Sequence, residues 1–138
     1  MTRVRALDHI AIAVEDLDAA VKMYCDRLGV TLTDTEELPD RGIRLAKVDA
    51  GGVTIELFQP LDRESKLARS IEKRGYGLHH LAFAVDDVAG SLEALKADGA
   101  PLVDETAKIG AGGSRIAFLH PNALAGVLVE ILEPGEEG

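Results

Sequence analysis

Two histidines and two glutamates recur at matching places in the two halves of this chain. His9 stands in Leu7-Asp8-His9-Ile10-Ala11-Ile12-Ala13-Val14, and His80 stands 71 residues later in Leu78-His79-His80-Leu81-Ala82-Phe83-Ala84-Val85. Glu56, in Gly52-Val53-Thr54-Ile55-Glu56-Leu57, returns 74 residues on as Glu130, in Gly126-Val127-Leu128-Val129-Glu130-Ile131. Imidazole and carboxylate are donors for borderline divalent cations, and this mixture suits Zn, Mn, Co, Ni or Fe(II) better than Ca or a thiophilic ion. Two of each, supplied by two copies of one module, point to a metal site on a pseudo-twofold axis. Four protein ligands leave two positions on a six-coordinate ion, enough for a substrate that chelates through two oxygens. Two carboxylates offset a charge of +2, so the ion can still accept an anion.

Periodicity supplies the elements that must position these groups. Residues 7–14 alternate as a strand. Asp16 is a candidate N-cap for a helix to about Arg27, with Leu17, Ala20, Val21, Tyr24 and Leu28 on its apolar face and Gly29 as its stop. A second strand is predicted over 30–35, a polar loop over Glu36–Gly42, and strands over 44–48 and 53–58 joined by the turn Asp49-Ala50-Gly51-Gly52. The first half thus reads β-α-β-β-β. A short helix over about 64–73 forms the connector. The second half repeats the plan, with a strand over 78–85, a helix from Asp87 to near Gly99, a strand near 101–104, a glycine-rich loop over 108–113, and strands near 115–119 and 127–132. Gly42-Ile43-Arg44-Leu45-Ala46 matches Gly113-Ser114-Arg115-Ile116-Ala117 at the same 71-residue spacing. The three extra residues before Glu130 fall in the last turn, where insertion costs little.

Side chains alternate across a strand. His9, Ala11 and Ala13 therefore share one face, and Ile10, Ile12 and Val14 the other. His80, Ala82 and Ala84 likewise oppose Leu81, Phe83 and Val85. The bulky apolar set can pack beneath the helix of each half. The alanines beside each histidine leave volume for a ligand. Glu56 and Glu130 each face away from their apolar neighbours, so all four candidate ligands can lie on the face opposite the helices.

Composition narrows the function classes. The chain has 138 residues, 46% of them apolar, which suits one compact domain or two small fused modules. A net charge of −9 argues against nucleic acid as the main partner. No apolar run is long enough to span a bilayer. The N-terminus enters a strand pattern without a signal peptide's apolar stretch, and Cys25 is the only cysteine, so a cytoplasmic protein is expected. Arg63, Lys66, Arg69, Lys73 and Arg74 crowd one segment, either as a solvated helix face or as a landing site for a phosphate-bearing substrate. Gly110-Ala111-Gly112-Gly113 leads into a strand and is no dinucleotide fingerprint. It reads as a flexible turn or as backbone donors for a ligand carboxylate. Cys25 reads as an inert thiol, His120 as a turn residue, and His79 as a neighbour of the site, pointing away from His80.

These segments resemble the vicinal oxygen chelate superfamily. Within it, Leu7–Val14, Glu56-Leu57-Phe58-Gln59-Pro60-Leu61, Gly77–Phe83, Lys108–Gly113, and Phe118-Leu119-His120-Pro121 followed by Gly126–Glu130 resemble the methylmalonyl-CoA epimerases, over about residues 6–133. The resemblance implies an α+β glyoxalase-like fold, with two tandem β-α-β-β-β modules forming an incomplete barrel around a metal site. It implies a single domain of two repeats, about 6–60 and 77–134, joined by a helical connector over 61–76. It implies a cytoplasmic homodimeric isomerase acting on an acyl-CoA, with no nucleic acid or membrane partner. His9, Glu56, His80 and Glu130 are the implied ligands of one divalent ion, Co²⁺ first and Mn²⁺, Ni²⁺ or Zn²⁺ as alternatives. Glu130 is also the implied acid/base, acting through its uncoordinated oxygen or when detached. Leu45 stands where some members carry a glutamate. Leucine moves no proton, which leaves a metal-bound water or a loop carboxylate as the second acid/base. Asn122 stands where relatives often have lysine. Ser114 and Arg115 are the candidates for holding the substrate carboxylate, and Lys66 and Arg69 for the CoA phosphates. A lactoylglutathione lyase on the same scaffold, or a metal-free ligand-binding protein, are the competing functions.

Overall fold

The computed structural model describes residues 2–134. The described residues divide into two compact units, His9–His79 on the one hand and residues 2–8 with 80–134 on the other. In order, the elements are β1 (Val4–Ala13), α1 (Leu17–Leu28), β2 (Thr31–Leu38), β3 (Ile43–Asp49), β4 (Thr54–Pro60), α2 (Lys66–Arg74), β5 (Gly77–Val85), α3 (Val88–Ala97), β6 (Lys108–Ile109), β7 (Arg115–Leu119) and β8 (Val129–Glu133).

In the unit His9–His79 the strands run β2-β3-β4-β1, with β4 parallel to β1 and the other pairs antiparallel. In the other unit β5-β8-β7-β6 repeats that plan, β8 being parallel to β5. Alternation sorts the side chains as the strand pattern requires. Leu17 and Ala20 of α1 pack on Ala46 and Leu57, with Ile12, Val14, Val21, Tyr24 and Ile55 at the margin. Val88 and Leu92 of α3 pack on Val85, Ala117, Leu119, Val129 and Ile131. Leu28, predicted on the apolar face of α1, ends the helix 68% exposed.

Each helix start is held twice, in the same way in both units. The carboxylates of Asp16 and Asp87 accept from Ala19 N at 3.1 Å and Gly90 N at 3.0 Å. The last strand supplies a second acceptor: Gln59 Oε1 takes Leu17 N and Glu133 Oε1 takes Val88 N, both at 2.8 Å. Four backbone N–H groups at a helix start have no partner within the helix, so these side chains satisfy donors that would otherwise need water. They also tie each helix to the strand that carries Glu56 or Glu130. Asp87→Ala is expected to cost about 1 kcal/mol, read as a lower urea midpoint; an unchanged midpoint would show the cap to be idle.

Three segments differ from the periodic reading. Residues 36–38, expected in a loop, extend β2, because Glu36, Glu37 and Leu38 pair with Leu45, Arg44 and Ile43. They lie on the outer strand of this ladder, where Glu37 is exposed and Glu36 partly so, and a polarity pattern reads such charges as loop. Gly42 then turns the chain at φ 71°, and a Cβ there would stand 3.3 Å from Ser65 Cβ. The strand expected near 101–104 is reduced to a bridge between Leu102 and Leu119. Pro101 has no N–H to donate. Asp104 disrupts the ladder further, its carboxylate accepting from Phe118 N at 2.8 Å where a strand would offer a carbonyl. The short strand forms later instead, at Lys108–Ile109, inside the predicted glycine-rich loop. The connector helix starts at Lys66, with Ser65 as its N-cap, and ends at Gly75.

Candidate functional site

Each unit places one histidine against one glutamate. In the first, β1 and β4 pair in parallel with Ala11 opposite Glu56 and His9 opposite Thr54, so His9 and Glu56 share a face. His9 Nε2 lies 3.6 Å from Glu56 Oε2. In the second, Ala82 is opposite Glu130, and His80 Nε2 lies 3.2 Å from Glu130 Oε1. All four residues are under a tenth exposed. Ala11 and Ala82 are wholly buried beside them.

Burying an imidazole and a carboxylate together is expensive unless both are well satisfied, and a buried ion pair seldom offsets its own desolvation. Doing so twice at equivalent positions is a poor way to stabilise a fold and a good way to collect donors. The spacing fits that use. Two donors about 2.1 Å from one ion, at angles of about 90–110°, stand about 3.0–3.4 Å apart. The His80–Glu130 pair falls within this range, and the His9–Glu56 pair, at 3.6 Å, lies just beyond it and is long for an N–H···O bond. The donor set, imidazole with carboxylate and no thiolate, suits Co²⁺, Mn²⁺, Ni²⁺ or Zn²⁺.

The surroundings of the two histidines are polarised differently. Phe118, opposite Glu130 on β7, turns its ring edge-on to His80 with centroids 5.0 Å apart. Lys108 Nζ stands 5.3 Å from the Phe118 ring centre and pairs with Asp104 at 3.3 Å. In the other unit the place opposite Glu56 belongs to Lys47. Lys47 was not singled out from the sequence, although the alternation of Ile43, Leu45 and Lys47 puts it on the face of Glu56.

The remaining candidates separate. Ser114 is buried, its hydroxyl donating to Ala111 O at 2.9 Å. Arg115 opens β7 on the side of Ala117 and Leu119, which pack under α3, and so faces away from Phe118 and Glu130. Lys66 and Arg69 lie exposed on α2 with Lys73 at helical spacing. Leu45 is 1% exposed, packed in the interior with no group that could carry a proton. His79 turns to its own unit: Ser70 Oγ lies 3.2 Å from its Nε2, and its ring meets Phe58 edge-on. His120 caps the turn Pro121–Leu124, its Nδ1 accepting from Asn122 N. Among the described residues, no helix is long and apolar enough to cross a membrane.

A paired β-α-β-β-β plan with a buried His–Glu set in each half defines a class of protein, and comparison agrees. The family model described as the glyoxalase/bleomycin resistance protein/dioxygenase superfamily matches residues 8–118, and the chain belongs to that superfamily. Within it, the chain is 37% identical over 127 residues to the ethylmalonyl-CoA/methylmalonyl-CoA epimerase of Cereibacter sphaeroides, covering 91% of this chain and 95% of that one. It is 37% identical over 126 residues to the human mitochondrial methylmalonyl-CoA epimerase, covering 91% of this chain and 72% of that one. The crystal structure of methylmalonyl-CoA epimerase from Mycobacterium tuberculosis superposes with a TM-score of 0.88 at 43% identity, over 97% of this chain and 91% of that one. Lactoylglutathione lyases also match, at lower identity.

Proposed function

We propose that this protein interconverts the C2 epimers of methylmalonyl-CoA. The observation that carries the reading is the buried His–Glu pair built twice at repeat-equivalent positions, in a chain whose relatives of 37% identity are named as epimerases of this substrate. The C2 proton of such a substrate lies between a thioester carbonyl and a carboxylate. Its removal leaves an enolate, and its return to the opposite face inverts the centre. His9, Glu56, His80 and Glu130 would hold a divalent ion, with Co²⁺ preferred. When bound, the ion supplies fixed positive charge for the oxygens on which the enolate charge develops.

Glu130 is one of the two groups that exchange the C2 proton, one on each face, because its second carboxylate oxygen can act while the first serves as a ligand. Its burial beside Phe118 and Ala82 keeps water from competing for the proton. Ser114 helps to orient the substrate from the end of the glycine-rich turn. Lys66 and Arg69 attract the CoA phosphates from the exposed side of α2. Lys66→Glu with Arg69→Glu is expected to raise KM severalfold at low salt and to flatten its salt dependence; a KM that ignores both charge and salt would remove this role. The enzyme is expected to be cytoplasmic and homodimeric.

Deuterium wash-in at C2 of methylmalonyl-CoA in D₂O, with and without a chelator, tests the reading. Exchange that stops with chelator and returns with Co²⁺ is expected. Absence of exchange in metal-loaded protein would overturn it. The match to lactoylglutathione lyases makes their reaction the second reading. Turnover of the methylglyoxal–glutathione hemithioacetal, in place of the CoA thioester, would favour it. A protein without stoichiometric metal by elemental analysis would instead be a binder.

A further inference from the structure

We propose that Lys47 is a substrate-binding residue that recognises the free carboxylate of a 2-carboxyacyl thioester, and so sets the selectivity of this site for malonyl-type over plain acyl-CoA ligands. The proposal rests on the epimerase reading and deepens it. β3 alternates Ile43, Leu45 and Lys47 on one face, and the first two are 4% and 1% exposed. The register sets Lys47 opposite Glu56 in β4 and opposite Asp34 in β2. Directly opposed residues on one face have Cβ atoms about 4.5–5.5 Å apart, and a lysine stem spans that distance easily. A lysine flanked by two carboxylates would ordinarily be a cross-strand ion pair. Among the described residues, however, Lys47 makes no ion pair within 4.0 Å, while other surface lysines such as Lys22 and Lys108 do. Lys47 is itself partly buried, and its ammonium is therefore a positive charge on the face of Glu56 with no carboxylate partner within 4.0 Å.

The internal repeat sharpens the point. The equivalent position opposite Glu130 is Phe118, an apolar ring that supports His80. The two halves thus depart from symmetry on the ligand face itself, where one has an aromatic edge and the other a cation. A symmetric metal site has no use for that difference, but an unsymmetric ligand with a thioester at one end and a carboxylate at the other does. The arginine expected for the carboxylate, Arg115, lies on the opposite side of its strand. Lys47 supplies the missing charge, and a flexible ammonium suits a monodentate contact with one carboxylate oxygen.

The test measures binding of malonyl-CoA and propionyl-CoA to the Co²⁺-loaded protein by calorimetry. The two probes share every group except the carboxylate. In the wild type, malonyl-CoA is expected to bind more tightly. Lys47→Met should weaken malonyl-CoA by about tenfold or more, leave propionyl-CoA within about twofold, and keep the metal content unchanged. Lys47→Arg should recover part of the difference. Equal losses for both probes, loss of metal, or no loss at all would overturn the proposal, since each assigns Lys47 to support of Glu56 or to plain surface. Wild-type protein that discriminates the probes through Lys47 but exchanges no C2 proton would leave this inference standing and remove the epimerase reading alone.

Discussion

Glu130→Gln is expected to lower C2 exchange by about 10²–10⁴-fold at saturating substrate and Co²⁺, the range that a positioned acid/base contributes. The substitution keeps the shape of the side chain. A glutamine carbonyl oxygen can still occupy the place of Glu130 Oε1, 3.2 Å from His80 Nε2, and the neighbours Ala82 and Phe118 stay in register. Charge and basicity are lost. Because Glu130 is also a proposed ligand, the variant must be compared with Glu56→Gln, its counterpart in the other half. Both should weaken metal binding. With excess Co²⁺, Glu56→Gln should regain much of its exchange and Glu130→Gln should not. Equal recovery of the two would assign Glu130 to the metal alone and leave the proton to another group. Unimpaired exchange in Glu130→Gln at ambient metal would dismiss both roles.

The second large effect separates two adjacent histidines. His80→Ala is expected to leave no stoichiometric metal after dialysis and no measurable exchange, because it removes an imidazole that a buried carboxylate faces. His79→Ala should retain both. Its imidazole meets Ser70 and Phe58 in the unit His9–His79, so its loss removes a hydrogen bond and a ring contact, a stability cost of about 1–3 kcal/mol. The pair of measurements is metal content and deuterium wash-in, with a thermal melt to record the structural cost. Metal retained in His80→Ala but lost in His79→Ala would mean that the wrong face of β5 carries the ligand.

The duplication was legible because its signal is local. Each histidine sits on a strand whose alternation puts alanines beside it and large apolar residues on the far side. Both pairings follow that alternation, with Ala11 beside Glu56 and Ala82 beside Glu130. The aspartate caps were legible for the same reason, since Asp16 and Asp87 bond to groups three residues ahead. The acceptors Gln59 and Glu133 were not, because their partners lie 42 and 45 residues away along the chain. Polarity misread residues 36–38, whose two glutamates belong to a paired outer strand. Apolar character misread 101–104, where Pro101 and Asp104 spoil a ladder that only a neighbouring strand could reveal.

The amino-acid order alone determined which side chains share a face in each half, because that follows from a backbone period of two and needs no partner. It therefore named the four metal-site candidates and the side of the strand on which they stand. The tertiary structure decided what stands across from them: Lys47 against Glu56, Phe118 against Glu130, and Arg115 exposed at the start of β7 on the face of Ala117 and Leu119. Register between strands is set by long-range pairing and by the packing of α1 and α3, and neither is written in the local period of any one strand.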